Sequence, residues 1–359
     1  MPKPPPAKVV ELAEKARNGL RALERKLAPP ELGLLGFISD LWGFQIVYTL
    51  AELRVVDALK DGPRAADAVA KELGVDADHL YRLLRAATHF DIVREEPERR
   101  FSLLPLGSAL CQAENESFRD FIILQGKVGW RFWGHLADSV RQGRSAIEIE
   151  TGKKPFEYFV GDENARHVFN RAMTAVSAVS AEAFVAAYDL SGFAHIVDVG
   201  GGHGRLLSAV LHQAKSAKGV LFDLPEVVAD APAVLEALGV RSRVEVVGGS
   251  FFESVPAGGD LYMMKSIIHD WQDAEALAIL ESIRKAAKPS SKLVLYETVV
   301  TPPGEKHFAK LLDIEMIVHA GGRERTRDEY ADLFRRAGFR LTRVLPSAGP
   351  ASVIEAVPG

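Results

Sequence analysis

The sequence predicts an α/β protein in which a mainly helical N-terminal region precedes a mostly parallel sheet with helices on both faces. From residue 194 onward, short apolar runs alternate with helical patterns, as in parallel sheets. Before that point, apolar residues recur every three or four positions, which indicates amphipathic helices. The length of 359 residues suggests two domains at roughly 150 residues each.

Composition narrows the class of protein. A hydrophobic fraction of 47% with 26% charged residues is that of a globular protein with a sizeable core. Forty-four Lys and Arg against 48 Asp and Glu leave a net charge of −4, so no global positive field attracts nucleic acid or an anionic membrane. The single cysteine, Cys111, excludes a disulfide framework and a cysteine-cluster metal site. Residues 1–6 lack the apolar core of a signal peptide, so we expect a cytoplasmic protein.

The N-terminal domain is predicted to comprise residues 1–115 and to begin with two long helical segments. Apolar residues between Ala7 and Leu27 form one helical stripe, which Pro29 and Pro30 end. Leu32 to Ala51 is the most membrane-like stretch, but Asp40 divides it and leaves a run too short to span. We therefore expect this stretch to be buried in protein. The density of large apolar residues between residues 41 and 59 indicates a dimer interface.

The rest of this domain has the element order of a winged helix. Short helices broken at residues 61–63 and 73–74 precede a predicted hairpin of residues 92–94 and 101–103. Winged helices commonly bind DNA. Between Arg64 and Arg100, however, seven basic residues face eight acidic ones, so the electrostatic footprint of a DNA reader is missing. The pattern favours a structural or dimerising use of the motif.

The second predicted domain, residues 116–359, has a helical lead-in over about 116–190 and a sheet core over about 191–359. The lead-in ends in a helix from Asp162 to Asp189. Seven strands are predicted in the core, over residues 194–199, 219–222, 244–247, 261–264, 292–296, 340–345 and 352–356. In such a sheet, ligands bind beyond the carboxyl ends of the strands.

A glycine loop follows the first of these strands. Gly200, Gly202 and Gly204 lie between a buried strand and a helix from Arg205 to Gln213, where backbone N–H groups can face an anion. The spacing differs from G-x-G-x-x-G, so a dinucleotide is a poor fit. The next strand ends at Asp223, which is placed to accept hydrogen bonds from ribose hydroxyls. The loop could instead be a tight turn without a ligand, and Asp223 could instead be a helix N-cap. Together the two features indicate a nucleoside cofactor.

From about Leu41 to the C-terminus, the chain resembles the class I S-adenosylmethionine-dependent O-methyltransferases of the plant caffeate and bacterial polyketide type. The motifs that carry this resemblance are DVGGGHG at residues 198–204, FDLP at 222–225, FF at 251–252 with VP at 255–256, KSIIHDW at 265–271 and GGRERT at 321–326. The resemblance implies a Rossmann-like catalytic sheet and a winged-helix domain that dimerises and lends residues to the partner's substrate pocket. The first 30 residues lie outside it.

The resemblance also implies which residues contact the cofactor. These are the three loop glycines, Asp223 on the ribose, Phe251 against the adenine ring and Lys265 near the adenine. The family commonly has Asp immediately before the two phenylalanines, whereas this chain has Ser250. A serine hydroxyl can still form a hydrogen bond, but it is shorter and uncharged.

Histidine is the side chain best suited to take a hydroxyl proton at neutral pH, and His269 stands just after a predicted strand at the ligand edge. A neighbouring carboxylate would fix its tautomer. The family's candidates are Glu297 and Glu324, while Asp270 is implied to touch the substrate oxygen. Each of these residues has an alternative explanation. His269 could be a half-buried histidine at a helix start, Glu297 could form a surface ion pair, and Glu324 could pair with its flanking arginines. No metal is expected, because no His/Cys pair has zinc spacing.

The resemblance places Phe169, Met173 and Met316 in an aromatic substrate pocket, although core packing explains such residues equally well. We therefore predict a homodimeric O-methyltransferase that acts on a hydroxyl, preferably phenolic, of a small aromatic, polyketide-like or isoprenoid metabolite of secondary metabolism. Three alternatives stay open. They are a relative that uses the cofactor for hydroxylation or decarboxylation, a winged-helix regulator, and a nicotinamide oxidoreductase, which the loop spacing disfavours.

Overall fold

A computed structural model describes residues 4–27, 29–112, 118–161 and 163–359. The chain forms two compact units. The first consists of Met1–Asn18, His135–Tyr158 and Ser177–Gly359, and the second of Gly19–Gly134 and Phe159–Val176. The predicted domain boundary between residues 115 and 116 remains a prediction.

The second unit is mainly helical, and three helices contribute residues to both units. These are α1 (Ala7–Leu27), α11 (Pro155–Gly161) and α12 (Glu163–Ala187). The other helices of the second unit are α2 (Pro30–Glu52), α3 (Val55–Ala58), α4 (Ala66–Leu73), α5 (Ala77–Ala87), α6 (Pro105–Ser108), α7 (Arg119–Leu124) and α8 (Trp130–Trp133).

The winged-helix order is confirmed. Helices α4 and α5 are followed by the antiparallel hairpin of β2 (Val93–Glu96) and β3 (Arg100–Leu103), and β1 (Arg64–Ala65) pairs with the outer side of β3. Asp76 begins α5 as its N-cap, where the side chain accepts a hydrogen bond from the His79 N–H. The apolar faces of these elements form one core, with fully buried Leu50, Val69, Leu84 and Phe101.

Helix α2 differs from its prediction. It begins at Pro30, where the missing proline N–H costs no hydrogen bond. Its length and composition would allow it to cross a membrane, a property that core helices share. Of its 23 residues only Gly43, Leu50 and Ala51 are buried in the single chain, so the expectation that this stretch is buried holds for its C-terminal end only. Its N-terminal half exposes large apolar side chains.

The first unit contains the predicted sheet. Its strands are β4 (His195–Val199), β5 (Lys218–Asp223), β6 (Val244–Gly248), β7 (Leu261–Lys265), β8 (Lys292–Val300), β9 (Arg325–Thr326), β10 (Phe339–Pro346) and β11 (Ala351–Pro358). Its remaining helices are α9 (Leu136–Gln142), α10 (Ala146–Thr151), α11 (Pro155–Gly161), α13 (Arg205–Gln213), α14 (Pro225–Val228), α15 (Ala231–Ala237), α16 (Asp273–Ala286), α17 (Ala309–Val318) and α18 (Arg327–Arg336), of which α11 runs past the end of the unit's segment at Tyr158.

Strand order in the sheet is β10-β11-β8-β7-β4-β5-β6, and β9 pairs with β8. The strands from β6 to β8 are parallel, whereas β11 and β10 are antiparallel additions at one edge. Strand β4 is central. The next strands along the chain, β5 and β6, lie on one side of it, and the later strands β7 and β8 lie on the other. Where the strand order changes direction, a crevice for a ligand forms at the carboxyl ends of β4, β5 and β7.

Both faces of the sheet are covered, as the alternation along β4 shows. Ile196 packs into a core with Leu207 of α13 and Phe184 of α12, whereas Val197 packs into a second core with Ile279 of α16 and Phe334 of α18. Successive residues of β4 therefore point to opposite layers, and both layers are apolar.

Candidate active site

The glycine loop connects β4 to α13. Gly200, Gly202 and Gly204 have φ of 71°, 57° and 81°, the left-handed region that favours glycine. Space adds a second requirement, because a Cβ on Gly200 would lie 2.7 Å from Cδ1 of Ile267. At Gly202, by contrast, a Cβ would meet no atom within 4 Å. At Gly202 the loop therefore presents backbone without a side chain to unoccupied space.

The backbone N–H groups of this loop are engaged within the protein, which the sequence did not predict. The Gly200 N–H donates to the carbonyl oxygen of Phe222 at 2.8 Å, and the Gly202 N–H donates to Oδ2 of Asp223 at 2.8 Å. These two donors join the ends of β4 and β5. An anion in the crevice would need other donors.

Asp223 ends β5. Its Oδ1 accepts a hydrogen bond from the Leu224 N–H at 2.7 Å, so each carboxylate oxygen has one backbone donor and a further lone pair. Burial raises the pKa of this carboxyl above its usual range. An acceptor with free lone pairs at the end of the second strand fits a pair of ribose hydroxyls.

Asp198, inside β4, is the buried acid of the crevice. Within the described ranges its Oδ2 has no hydrogen-bond partner, and a Cβ on Gly201 would lie 2.7 Å from that oxygen. Burial, followed by the charge of Asp223, raises the pKa of Asp198 to about 7. A buried carboxylate oxygen without a donor, next to a second carboxylate, makes this crevice suited to a ligand that carries positive charge.

Aromatic side chains border the crevice beyond β6. The Phe251 ring packs edge-on against Phe252 and against Trp271, with centroids 4.9 and 6.0 Å apart. Trp271 also stacks on Phe156, with centroids 5.0 Å apart and an angle of 6° between the rings. Ser250 Oγ accepts a hydrogen bond from the Phe252 N–H at 3.3 Å. Ser250 therefore stabilises its own turn, beside the apolar rings of Phe251 and Phe252.

His269 lies in a single helical turn, Ile268–Asp270, directly after β7. Its Nδ1 is 2.7 Å from Oε1 of Glu324 and 3.7 Å from Oε2 of Glu297. Its Nε2 is 3.6 Å from Oδ1 of Asp270. The residue is only 8% exposed. With Nδ1 held by Glu324, Nε2 is the nitrogen left for a substrate.

Glu297 holds the turn that carries this histidine. It lies within β8, which extends to Val300 and not to Tyr296 as predicted. Its Oε1 accepts hydrogen bonds from the N–H groups of Ile267 at 3.0 Å and Ile268 at 2.9 Å. The alternative of a surface ion pair is therefore wrong, since Glu297 is fully buried and bonds to backbone.

Three carboxylates surround the imidazole of His269. Burial on its own would lower the pKa of this ring, but the charges of Glu297, Asp270 and Glu324 outweigh burial and raise the pKa to about 10. Burial raises the pKa of Asp270 to about 6. Lys265, at the end of β7, has a pKa lowered by burial despite its acidic neighbours. The carboxylates of this buried pocket therefore stabilise a positive charge on His269.

The GGRERT segment is bound to the histidine turn at several points. The Arg323 N–H donates to the carbonyl oxygen of His269 at 2.8 Å, and a Cβ on Gly322 would lie 2.1 Å from that same oxygen. The Glu324 N–H donates to Oδ1 of Asp313 at 2.9 Å. Glycine is thus required at position 322, and Asp313 of α17 fixes the backbone of Glu324.

Arg325 is a fully buried residue of this segment that the sequence did not single out. Its guanidinium donates to the carbonyl oxygens of Ile268 at 3.1 Å and Trp271 at 2.9 Å, and to Oδ1 of Asp273 at 2.8 Å. Arg323 pairs with Glu329 at 2.9 Å. The arginines that flank Glu324 therefore bond elsewhere, and Glu324 is free to bond to His269.

His269, Glu297 and Glu324 each offer one ligand atom, and these atoms lie within 4.8 Å of one another. Nδ1 of His269 already bonds to Glu324. The expectation that no metal takes part stays a prediction.

The predicted pocket residues lie in both units. Phe169 and Met173 are on the part of α12 that belongs to the second unit, where the Phe169 ring packs on Phe159 with centroids 4.5 Å apart. Met316 is on α17 of the first unit and is buried.

Comparison with known proteins identifies the family. Residues 133–340 match the model of the O-methyltransferase domain, and residues 36–113 match the O-methyltransferase dimerisation domain. The phenazine O-methyltransferase PhzM of Lysobacter antibioticus is 37% identical over 325 residues, which cover 90% of this chain and 95% of the relative. The 3-amino-4-hydroxybenzoate 4-O-methyltransferase of Streptomyces cremeus is 36% identical over 324 residues, 89% of this chain and 88% of the relative.

A solved structure agrees with these sequence matches. The human N-acetylserotonin methyltransferase in complex with S-adenosylmethionine superposes with a TM-score of 0.85 at 27% identity, covering 92% of this chain and 98% of the other. The crevice fits that cofactor, since Asp223 can accept from hydroxyls and the buried acids suit a sulfonium. The chain therefore belongs to the family of S-adenosylmethionine-dependent O-methyltransferases that carry this dimerisation domain.

Proposed function

We propose that the enzyme methylates a phenolic hydroxyl of a small aromatic metabolite, with His269 as the general base. The observation that carries the proposal is the position of His269. It lies just after the carboxyl end of β7, and its Nδ1 is bonded to Glu324. An imidazole fixed through one nitrogen presents the other to a substrate proton. S-adenosylmethionine, when bound, supplies the electrophilic methyl group.

The charges around His269 support its role as a base. Its neighbouring carboxylates raise the pKa of the imidazole and so stabilise the imidazolium that forms when the ring takes up a proton. A phenol, with a pKa of about 10, gives up its proton more readily than an aliphatic alcohol, which supports a phenolic substrate.

Each neighbouring carboxylate has its own role in this proposal. Glu324 fixes the imidazole orientation and stabilises the imidazolium, and Glu297 positions the turn through its two backbone hydrogen bonds. Asp270, next to Nε2, lies on the side from which the hydroxyl approaches. Correct placement of the oxygen in line with the methyl group would supply most of the rate enhancement.

The cofactor contacts are proposed from the same geometry. Gly200, Gly202 and Gly204 allow close approach of the cofactor to backbone, and Asp223 accepts from the ribose. Phe251 packs on the adenine, with Ser250 and Lys265 at its polar edge. Ser250 is engaged with its own turn, so we expect its hydrogen bond to adenine to be weaker than that of the usual Asp.

The substrate is proposed from the relatives and the predicted pocket. One relative is named for phenazine and another for 3-amino-4-hydroxybenzoate, both aromatic compounds. Phe169, Met173 and Met316 are apolar side chains suited to hold such a ring. We further propose a cytoplasmic homodimer that binds neither nucleic acid nor membrane and uses no metal.

Calorimetric titration with S-adenosylmethionine and S-adenosylhomocysteine, with NADH as control, tests the cofactor site without knowledge of the substrate. We expect micromolar binding of both sulfur nucleosides and none of NADH. A screen of hydroxylated phenazines, aminophenols and other phenols for methyl transfer then tests the substrate class. Methylation confined to aliphatic alcohols would contradict the phenolic assignment.

A further inference from the structure

Helix α1 carries an apolar stripe that is exposed in the single chain. Its members are Val9, Leu12, Leu20, Leu23 and Leu27, and each is 53 to 79% exposed. The helix lies entirely before residue 36, where the dimerisation domain begins, so it is an addition to that domain.

The exposed stripe is not the face that the helix turns toward its own chain. Among the residues of α1 whose burial the structure describes, the half-buried ones are Ala7, Val10, Glu14, Asn18 and Ala22, which lie on the opposite face. All of them except Val10 are small or polar. A helix that serves only its own chain would bury its leucines and expose its polar residues. The reversed orientation of α1 indicates that its leucines contact another molecule.

Helix α2 presents a matching surface. Leu34, Phe37, Ile38, Leu41 and Trp42 follow the spacing i, i+3, i+4, i+7, i+8 and are exposed along one side of its N-terminal half. Most of this stripe lies inside the dimerisation domain. Both stripes are exposed in the single chain, so neither covers the other there.

The charges of the two helices are complementary. Helix α1 carries six basic and three acidic residues, whereas the charged residues of α2 are Glu31, Asp40 and Glu52 only. Opposite net charge favours α1 against α2 and disfavours each helix against its own copy. An anionic membrane would attract α1 but repel α2, so a lipid surface fits the pair less well.

We propose that α1 is an N-terminal arm whose leucine stripe packs on the apolar stripe of α2 in a second copy of this chain. The inference rests on the proposed homodimer and adds to its interface a helix, α1, that lies outside the dimerisation domain. A two-fold axis would produce the contact twice.

Sedimentation over a concentration series tests the arm through the dimer dissociation constant. The test variant is Leu12→Ser with Leu20→Ser. The matched control is Glu11→Ser with Lys15→Ser, an exposed ion pair of the same helix. Both double variants place two serines in α1 and leave the net charge unchanged. We expect the leucine variant to weaken the dimer about tenfold or more, and the control to leave it within about twofold of wild type.

The outcomes separate the arm from the dimer. A wild-type chain that stays monomeric at every concentration would overturn both proposals. A dimer that the leucine variant does not weaken, or that both variants weaken equally, would overturn the arm alone. Flotation of the wild-type chain with phosphatidylserine vesicles, lost in the leucine variant, would assign the stripe to a membrane and overturn the arm as well.

Discussion

Nδ1 of His269 lies 2.7 Å from Oε1 of Glu324, although 55 residues separate them in the chain. The backbones of the same two segments are also joined, through the Arg323 N–H and the His269 carbonyl oxygen. The orientation of the imidazole is thus fixed from both its side chain and its main chain.

Replacement of the base tests its chemical role. His269→Ala should lower kcat by at least about 100-fold, because general base catalysis typically contributes that much or more. Affinity for S-adenosylhomocysteine, measured by calorimetry, should change little. Retention of most activity would remove His269 as the base.

The charge of the cofactor should change the protonation of His269. A sulfonium near the ring disfavours the imidazolium, so the pKa of His269 should be lower with S-adenosylmethionine bound than with the uncharged thioether S-adenosylhomocysteine. NMR titration of the ring carbons measures both values. Equal pKa values in the two complexes would mean that the sulfonium binds away from this residue.

Asp223 is expected to act on binding and not on chemistry. Asp223→Ala should weaken the affinity for S-adenosylhomocysteine about tenfold or more, because it removes the acceptor at the end of β5. Asp189→Ala offers a control, since this exposed carboxylate bonds to a local backbone N–H. If both variants bind the nucleoside as wild type does, Asp223 does not contact the ribose.

Arg325 should position the histidine turn. Arg325→Lys keeps the positive charge but cannot bond to two carbonyl oxygens and Asp273 together. We expect kcat to fall and the pH dependence of the rate to shift, as the carboxylates around His269 move. Arg327→Lys, at an exposed neighbouring position, should leave both unchanged. Loss of thermal stability with an unaltered pH profile would indicate a structural role only.

Glu355 should make stability depend on acid pH. It accepts hydrogen bonds from Tyr188 at 2.6 Å, Arg343 at 2.9 Å and Lys292 at 3.1 Å. Although burial opposes them, these bonds lower its pKa from 4.5 to about 2. Its stabilising contribution is therefore complete above pH 4.5 and lost as the pH falls toward 2.

Unfolding by urea across this pH range measures the contribution of Glu355. Glu355→Gln should cost about 1 to 3 kcal/mol at neutral pH, and the difference from wild type should shrink as the pH falls from 4.5 through 2. Glu281→Gln, at an exposed position of α16, should show no such dependence. A difference that persists unchanged at low pH would contradict the assignment.

Local patterns predicted much of this fold. The helix from Arg205 to Gln213 appears with its predicted bounds, and the seven predicted strands of the sheet form within one or a few residues. These elements follow from apolar periodicity and from glycine and proline positions, which act over short distances. The extension of β8 was not predictable, because its added residues are held by pairing with β11 and β9, which lie far along the chain.

The site was predictable in its residue types and less so in its bonds. Motif resemblance pointed to His269, Glu297 and Glu324, and the fold brings one side-chain atom of each within 4.8 Å of the others. It did not indicate that Arg325 would choose Asp273 over Glu324, or that Asp313 would hold the backbone of Glu324. Which partners these side chains bond to depends on which groups the tertiary fold buries together. Spacing along the chain does not predict this.

The division of the chain into discontinuous units has a consequence for its synthesis. Residues 1–18 belong to the unit that is completed only when the last strand, β11, has been made. At roughly 5 to 20 residues per second, the ribosome needs on the order of 20 to 70 s for the whole chain. The second unit can assemble earlier, once residue 176 has emerged. For most of translation, the N-terminal half of the first helix therefore lacks the rest of its unit, a period in which chaperones and neighbouring nascent chains can bind it.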